Sequence, residues 1–128
     1  LKFDGWLRHR LDKTKEAGLN RKVRTMKALE LPIVIVARPN LGTINHTFLT
    51  VQYAKSIGLR IAGIVINGIS HHPDLAEITN PKLIEELCGV PILGITPKLK
   101  EITHENIKNI VKGHIDMTLL INQMEVGR

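Results

Sequence analysis

Three stretches of the chain are apolar without a break: "LPIVIVA" (31–37), "RIAGIVIN" (60–67) and "VPILGIT" (90–96). They are rich in Ile and Val and do not alternate with polar residues, the pattern of parallel strands covered on both faces. Parallel strands need crossover connections, and the intervening segments supply helices. In "TINHTFLTVQYAKSIG" (43–58), Ile44, Phe48, Val51 and Ala54 recur at helical spacing, with Thr43 placed as N-cap and Gly58 just past the end. Before the third strand, the pattern predicts a helix capped by Asn80 and starting at Pro81. Leu83, Ile84 and Leu87 would face inward, and Gly89 would end it. Thr103 then precedes "HENIKNIVKG", with Ile107, Ile110 and Val111 on one face, and Asp116 opens "MTLLINQME". At the front, Phe3, Trp6, Leu7 and Leu11 form a helical stripe that stops by Gly18. Two consecutive βαβ units with helices on a parallel sheet make this an α/β fold.

Composition narrows the picture. A length of 128 residues is about one domain. No apolar run approaches the ~18 residues of a membrane span, and no charged-then-apolar leader is present, so a cytoplasmic location and no membrane partner are expected. The lone Cys88 lies in the apolar pattern "KLIEELCG" and reads as a buried, inert thiol. Histidines 71, 72, 104 and 114 show no paired ligand spacing beyond the adjacent pair, so no structural metal is expected.

Charge divides the chain. Residues 1–27 carry nine Lys/Arg against three Asp/Glu, whereas residues 28–128 carry nine against nine, so the whole net charge of +6 is N-terminal. The break near Met26 to Leu31 separates a basic helical segment, 1–27, from an α/β unit, 28–128. The plain reading of that segment is a solvated amphipathic helix. A nucleic-acid arm built on Arg21, Lys22 and Arg24 would need more aromatic residues than Phe3 and Trp6, and nucleic acid is not expected as a partner.

The stretch "RPNLGTINHT" (38–47) lies at the carboxyl end of the first strand and the amino end of a helix, where open parallel sheets hold ligands. Gly42 permits close backbone approach, and the first helical amides point outward with the positive end of the helix dipole behind them. Such a turn suits a carboxylate or phosphate. The same residues also serve as a simple cap, and Asn67-Gly68 reads equally as a turn after a strand.

Beyond these local rules, "ARPNLGTINHTFLTVQYAKSIGLRIAGIVING", "PILGITPKLK" and "ENIKNIVKGHIDMTLL" resemble the second half of dethiobiotin synthetase, with "GTINHT" close to a family signature. The resemblance covers about residues 28–122. It implies the C-terminal half of a P-loop NTPase-like fold, with ATP and Mg2+ as cofactors and 7,8-diaminononanoate and carbon dioxide as substrates. The reaction it implies is carbamation of the diamine, phosphorylation of the carbamate and closure of the ureido ring. By the same resemblance, Leu41, Gly42, Thr43, Ile44 and Asn45 receive the substrate carboxylate, generally across a homodimer interface. Asn67 reads adenine, and Thr96, Pro97 and Lys98 line the purine on its other side.

The sequence also departs from that family. It contains no G-x-x-x-x-G-K-[ST] phosphate loop and no counterpart of the family's magnesium-binding acids or carbamate-stabilising lysine. Phosphoryl transfer depends on those parts, so no catalytic residue is assigned and no catalysis by this chain alone is expected. Residues 3–26, through "WL-x-x-RLD" and "KEAGL-x-R-x-x-RTM", resemble instead the opening of 8-amino-7-oxononanoate synthase. That likeness stops before any cofactor lysine, so pyridoxal phosphate is not expected. A join near Lys27 accounts for both likenesses. The expectation is a ligase-type domain completed by a partner chain bearing the phosphate loop, or else a non-catalytic, chimeric binding or assembly module. Loss of neighbouring strands would leave apolar edges and a tendency to self-associate, with Phe3, Trp6 and Leu11 available to cover part of the bare face.

Overall fold

A computed structural model of the chain describes residues 17–125. The elements are α1 (Ala17–Leu29), β1 (Ile33–Ala37), α2 (Thr43–Ser56), β2 (Ile61–Ile69), α3 (Leu75–Cys88), β3 (Ile92–Pro97), α4 (His104–His114) and α5 (Met117–Glu125). The expected helical stripe at Phe3, Trp6, Leu7 and Leu11 lies outside the described residues. Helix α1 begins at Ala17 and runs to Leu29.

The three apolar runs form one parallel sheet in the order β1-β2-β3. Ile35, Ala37, Ile64, Ile66, Val51 of α2, and Ile84 and Cys88 of α3 make its principal core. Ile64, Ile66 and Ile84 are fully buried, each contributing about 1.5–3 kcal/mol relative to exposure. Burial also pushes the Cys88 thiol above its ordinary pKa, against a smaller opposing effect of Lys55, in keeping with an inert thiol. The Lys55 ammonium donates to the Cys88 carbonyl at 3.1 Å, tying α2 to the end of α3.

The expectation of strands covered on both faces fails at β1. Ile35 and Ala37 are buried, but Val34 is 41% and Val36 51% exposed. Helices α4 and α5 pack against β2 and β3 instead, and among the described residues no element covers the second face of β1.

Helix α3 begins earlier than the Asn80-Pro81 pair suggests. Asp74 is its N-cap, accepting from the Glu77 amide at 2.9 Å, while the Glu77 carboxylate accepts from the Asp74 amide at 3.0 Å. This reciprocal capping box satisfies orphan donors at both ends of the turn and fixes the start six residues upstream of Asn80. Asn80 and Pro81 are therefore interior. Leu83 (42%) and Leu87 (56%) are exposed rather than inward, and only Ile84 of the expected trio is buried. Gly89 ends the helix in the left-handed region, as expected. Thr103 and Asp116 cap α4 and α5 through Asn106 and Leu119 amides at 3.1 and 2.9 Å.

The outer edge of β3 is closed by the link between α4 and α5. The Asp116 amide donates to the Leu93 carbonyl at 2.8 Å, and Gly94 bridges Ile115. A Cβ on Gly94 would overlap the His114 carbonyl, so only glycine permits this approach. Gly94→Ala is expected to destabilise the domain by about 1–3 kcal/mol. A lowered urea midpoint with an unchanged slope checks it; an unchanged midpoint refutes the close-approach account.

Candidate functional site

The parallel register brings the carboxyl ends of the three strands to one edge of the sheet. Arg38 and Asn40 after β1, Asn67 and Gly68 near the end of β2, and Pro97 and Lys98 at the end of β3 surround an open groove of about 460 Å³. Three of the four expected purine-side residues thus meet on one surface.

Asn67 and Gly68 do not form a turn. Strand β2 continues to Ile69, and the pairing shifts from Asn67 opposite Thr96 to Ile69 opposite Pro97, leaving Gly68 as the extra residue of a bulge. Gly68 has φ 90°, a conformation that glycine adopts without a Cβ penalty. The bulge presents Asn67 to solvent. Thr96 is buried beneath it and donates its hydroxyl to Asn67 Oδ1 at 2.6 Å. Its position is supporting rather than lining. The Lys98 amide donates to the Ile69 carbonyl at 2.9 Å, fixing the exit of β3 beside the bulge.

The second expected set, Leu41 to Asn45, lies next to the groove without lining it. Gly42, at φ 88°, is the N-cap of α2, and Thr43 is already helical. Thr43 is buried, with its hydroxyl 3.4 Å from that of Thr47, and makes no side-chain cap, which corrects its expected capping role. The turn therefore offers backbone groups. The first α2 bond runs from the His46 amide to the Gly42 carbonyl at 3.3 Å, so the amides of Ile44 and Asn45 precede the intrahelical ladder. Leu41, Gly42 and Asn45 are exposed, and Ile44 packs against the core. This arrangement can receive an anion at a helix N-terminus.

Two residues that local sequence rules missed hold the loops around the groove. Asn80 is buried and donates from Nδ2 to the carbonyls of Pro39 at 3.2 Å and Asn40 at 3.5 Å, anchoring the loop that leads into the Gly42 turn. Its partners are some forty residues away, so no local pattern announces them. Glu77 lines the groove and accepts from the Ser70 hydroxyl at 2.7 Å, the Ser70 amide at 3.3 Å and the Asp74 amide at 3.0 Å. Here the sequence did carry a signal, the D-x-x-E spacing of a capping box. The Ser70 hydroxyl contributes most to holding the Glu77 carboxyl below its ordinary pKa, followed by the Asp74 amide, with a smaller effect from Lys98. Among the described residues, no group of three or more His, Cys, Asp or Glu is placed to hold a metal ion.

Comparison with known proteins places this geometry in context. A family model described as an AAA domain matches residues 13–106, beginning inside the basic N-terminal segment. The ATP-dependent dethiobiotin synthetase BioD of Bacillus subtilis subsp. natto is 66% identical over 101 residues, covering 79% of this chain and 44% of that protein. The protein of the same name from Bacillus licheniformis is 61% identical over 102 residues, covering 80% of this chain and 43% of its own length. That of Bacillus cereus (strain B4264) is 44% identical over 95 residues, with coverages of 73% and 39%. The chain spans less than half the length of these relatives.

Because the folded pKa of Glu77 lies below its ordinary value, ionised Glu77 stabilises the fold above that value, and the contribution is lost as pH falls through the folded pKa. Glu77→Gln is expected to lower Tm at about pH 7 and to narrow the difference in Tm between about pH 7 and pH 3. Parallel thermal melts of the two proteins at both pH values check this. An equal pH dependence in both would remove Glu77 as its source.

Proposed function

The chain belongs to the AAA domain family, and from that premise we propose that it is the carboxylate- and purine-binding half of a dethiobiotin synthetase. The observation that carries this reading is the meeting of Asn67, Pro97 and Lys98 in one groove, with the Gly42 turn on the loop that borders it. In this reading Leu41 to Asn45 receive the carboxylate of 7,8-diaminononanoate through the amides that open α2, and a second copy of the chain contributes to that site. The amide of Asn67 reads the purine edge, and its hydrogen bond from Thr96 holds it in place. Pro97 and Lys98 flank the base.

The residues present fit the purine end of ATP and the acid end of the diamine. ATP, when bound, supplies the phosphoryl group that activates the carbamate for ring closure. The phosphate-loop pattern does not occur in residues 1–128, so the groups that hold the phosphates and Mg2+ are assigned to a phosphate-loop segment outside them. Residues 1–27 are assigned to a separate basic segment and 28–128 to the ligase-like unit. The division of labour is chemical: these residues orient both substrates, and the phosphate-loop segment supplies the charge stabilisation on which transfer depends.

Incorporation of labelled bicarbonate into dethiobiotin tests the reading, using the chain alone and with an added phosphate-loop fragment of a Bacillus relative. Product is expected only from the mixture. Product from the chain alone would refute the assignment of phosphate binding to a segment outside residues 1–128, and none from either would refute the half-enzyme reading. In the active mixture, Gly42→Val should raise KM for the diamine roughly 10- to 100-fold, because the left-handed N-cap would be lost and with it hydrogen bonds to a charged group. An unchanged KM would remove the turn from the carboxylate site.

A further inference from the structure

A side-chain carboxamide has two ends of similar shape and opposite chemistry: the oxygen accepts hydrogen bonds and the nitrogen donates them. Which end faces a ligand decides what the amide recognises. At Asn67 that choice is made inside the sheet. Asn67 and Thr96 are register partners on neighbouring parallel strands, so their side chains leave the same face side by side. Asn67 is exposed at the groove, and Thr96 is buried behind it with its hydroxyl donating to Asn67 Oδ1 at 2.6 Å. That hydroxyl has no other hydrogen-bond partner among the described residues. Turning the amide over would set Nδ2 against the hydroxyl oxygen, which can accept, but the hydroxyl proton would then be buried without an acceptor. The bond therefore has one favoured sense. Oδ1 stays at Thr96 with a second lone pair to spare, and Nδ2, which makes no hydrogen bond among the described residues, is left for a ligand.

Building on the purine reading of this groove, on which the inference rests, we propose that Thr96 is a specificity-determining residue. It fixes the polarity of the Asn67 amide and so selects a purine with an amino group at the 6-position over one with an oxo group there. The fixed amide edge offers an acceptor, the second lone pair of Oδ1, beside a donor, the Nδ2 hydrogen. A 6-aminopurine carries the complement, an amino hydrogen next to an unprotonated ring nitrogen. A 6-oxopurine sets its oxygen against Oδ1, two acceptors in contact, whichever edge it presents. Only an inverted amide suits that base, and inversion is what the Thr96 hydroxyl opposes. The Glu77 carboxylate, which also lines the groove, does not take over this role, because it is committed to Ser70 and Asp74. Thr96 does not line the groove, so it acts through Asn67 as a positioning residue.

Titration of the full chain with adenosine, purine riboside and inosine, followed by the NMR signals of the Asn67 side-chain amide and the Gly68 backbone amide, tests this. These nucleosides differ in what the 6-position carries, and none has a phosphate, so the phosphate-loop segment is not required. A fixed amide predicts adenosine tightest, purine riboside weaker through one lost hydrogen bond, and inosine weakest, with about tenfold or more between first and last. A freely turning amide would instead place inosine above purine riboside, which decides the matter in the unaltered chain even if a variant fails to fold. Thr96→Val should bring adenosine and inosine to within about twofold of each other, and Thr96→Ser should keep the preference, a pattern that lost packing alone does not produce. Inosine binding as well as purine riboside, or a preference that Thr96→Val leaves unchanged, would overturn the role of Thr96 while the purine reading stands. If none of the three shifts the Asn67 or Gly68 signals, the purine reading falls and the role of Thr96 with it.

Discussion

The central position of β2 is the constraint on which the rest of the molecule depends. Its hydrogen bonds run to β1 on one side and β3 on the other, with Ala37 opposite Ile66 and Asn67 opposite Thr96. Since the three strands are parallel, their carboxyl ends arrive together, and the loops that leave them must share one edge. Fully buried Ile64 and Ile66 hold β2 in that place. The groove exists because of this pairing, and the bulge at Gly68 then turns Asn67 into it.

Helix α3 carries out the finer positioning. Glu77 gathers Ser70 and Asp74 at one side of the groove, and Asn80, one turn further on, holds Pro39 and Asn40 at the other. Two neighbouring turns of one helix thus set both loops. Pro81 follows at a cost, because it has no amide to continue the ladder to the Glu77 carbonyl. The capping box at Asp74 and the buried bonds of Asn80 offset that cost. This explains why a helix with an interior proline still starts where it does.

The strands were legible in the sequence to within two residues, because an apolar run is itself the cause of burial. The starts and ends of α2, α4 and α5 were nearly so, since turn and capping chemistry acts over three or four residues. Legibility failed where a residue's partner is distant or where two local rules compete. Asn80 before Pro81 resembles a helix start, but its side chain is committed to a loop about forty positions away. Thr43 resembles a cap, but burial turns its hydroxyl toward Thr47. Leu83, Leu87, Val34 and Val36 show a third limit: a sequence records which residues are apolar, not which element arrives to cover them. The purine-side set was placed by resemblance, and geometry alone would have found its groove but not its ligand.

The Gly42 turn and the groove differ in what sustains them. The anion site proposed at helix-opening amides and one left-handed glycine would need only that β1 and α2 fold and that Asn80 hold the loop between them. Phosphoryl transfer is more demanding, since charges must converge on a transition state from several chain segments at once. Binding and turnover consequently have different structural thresholds.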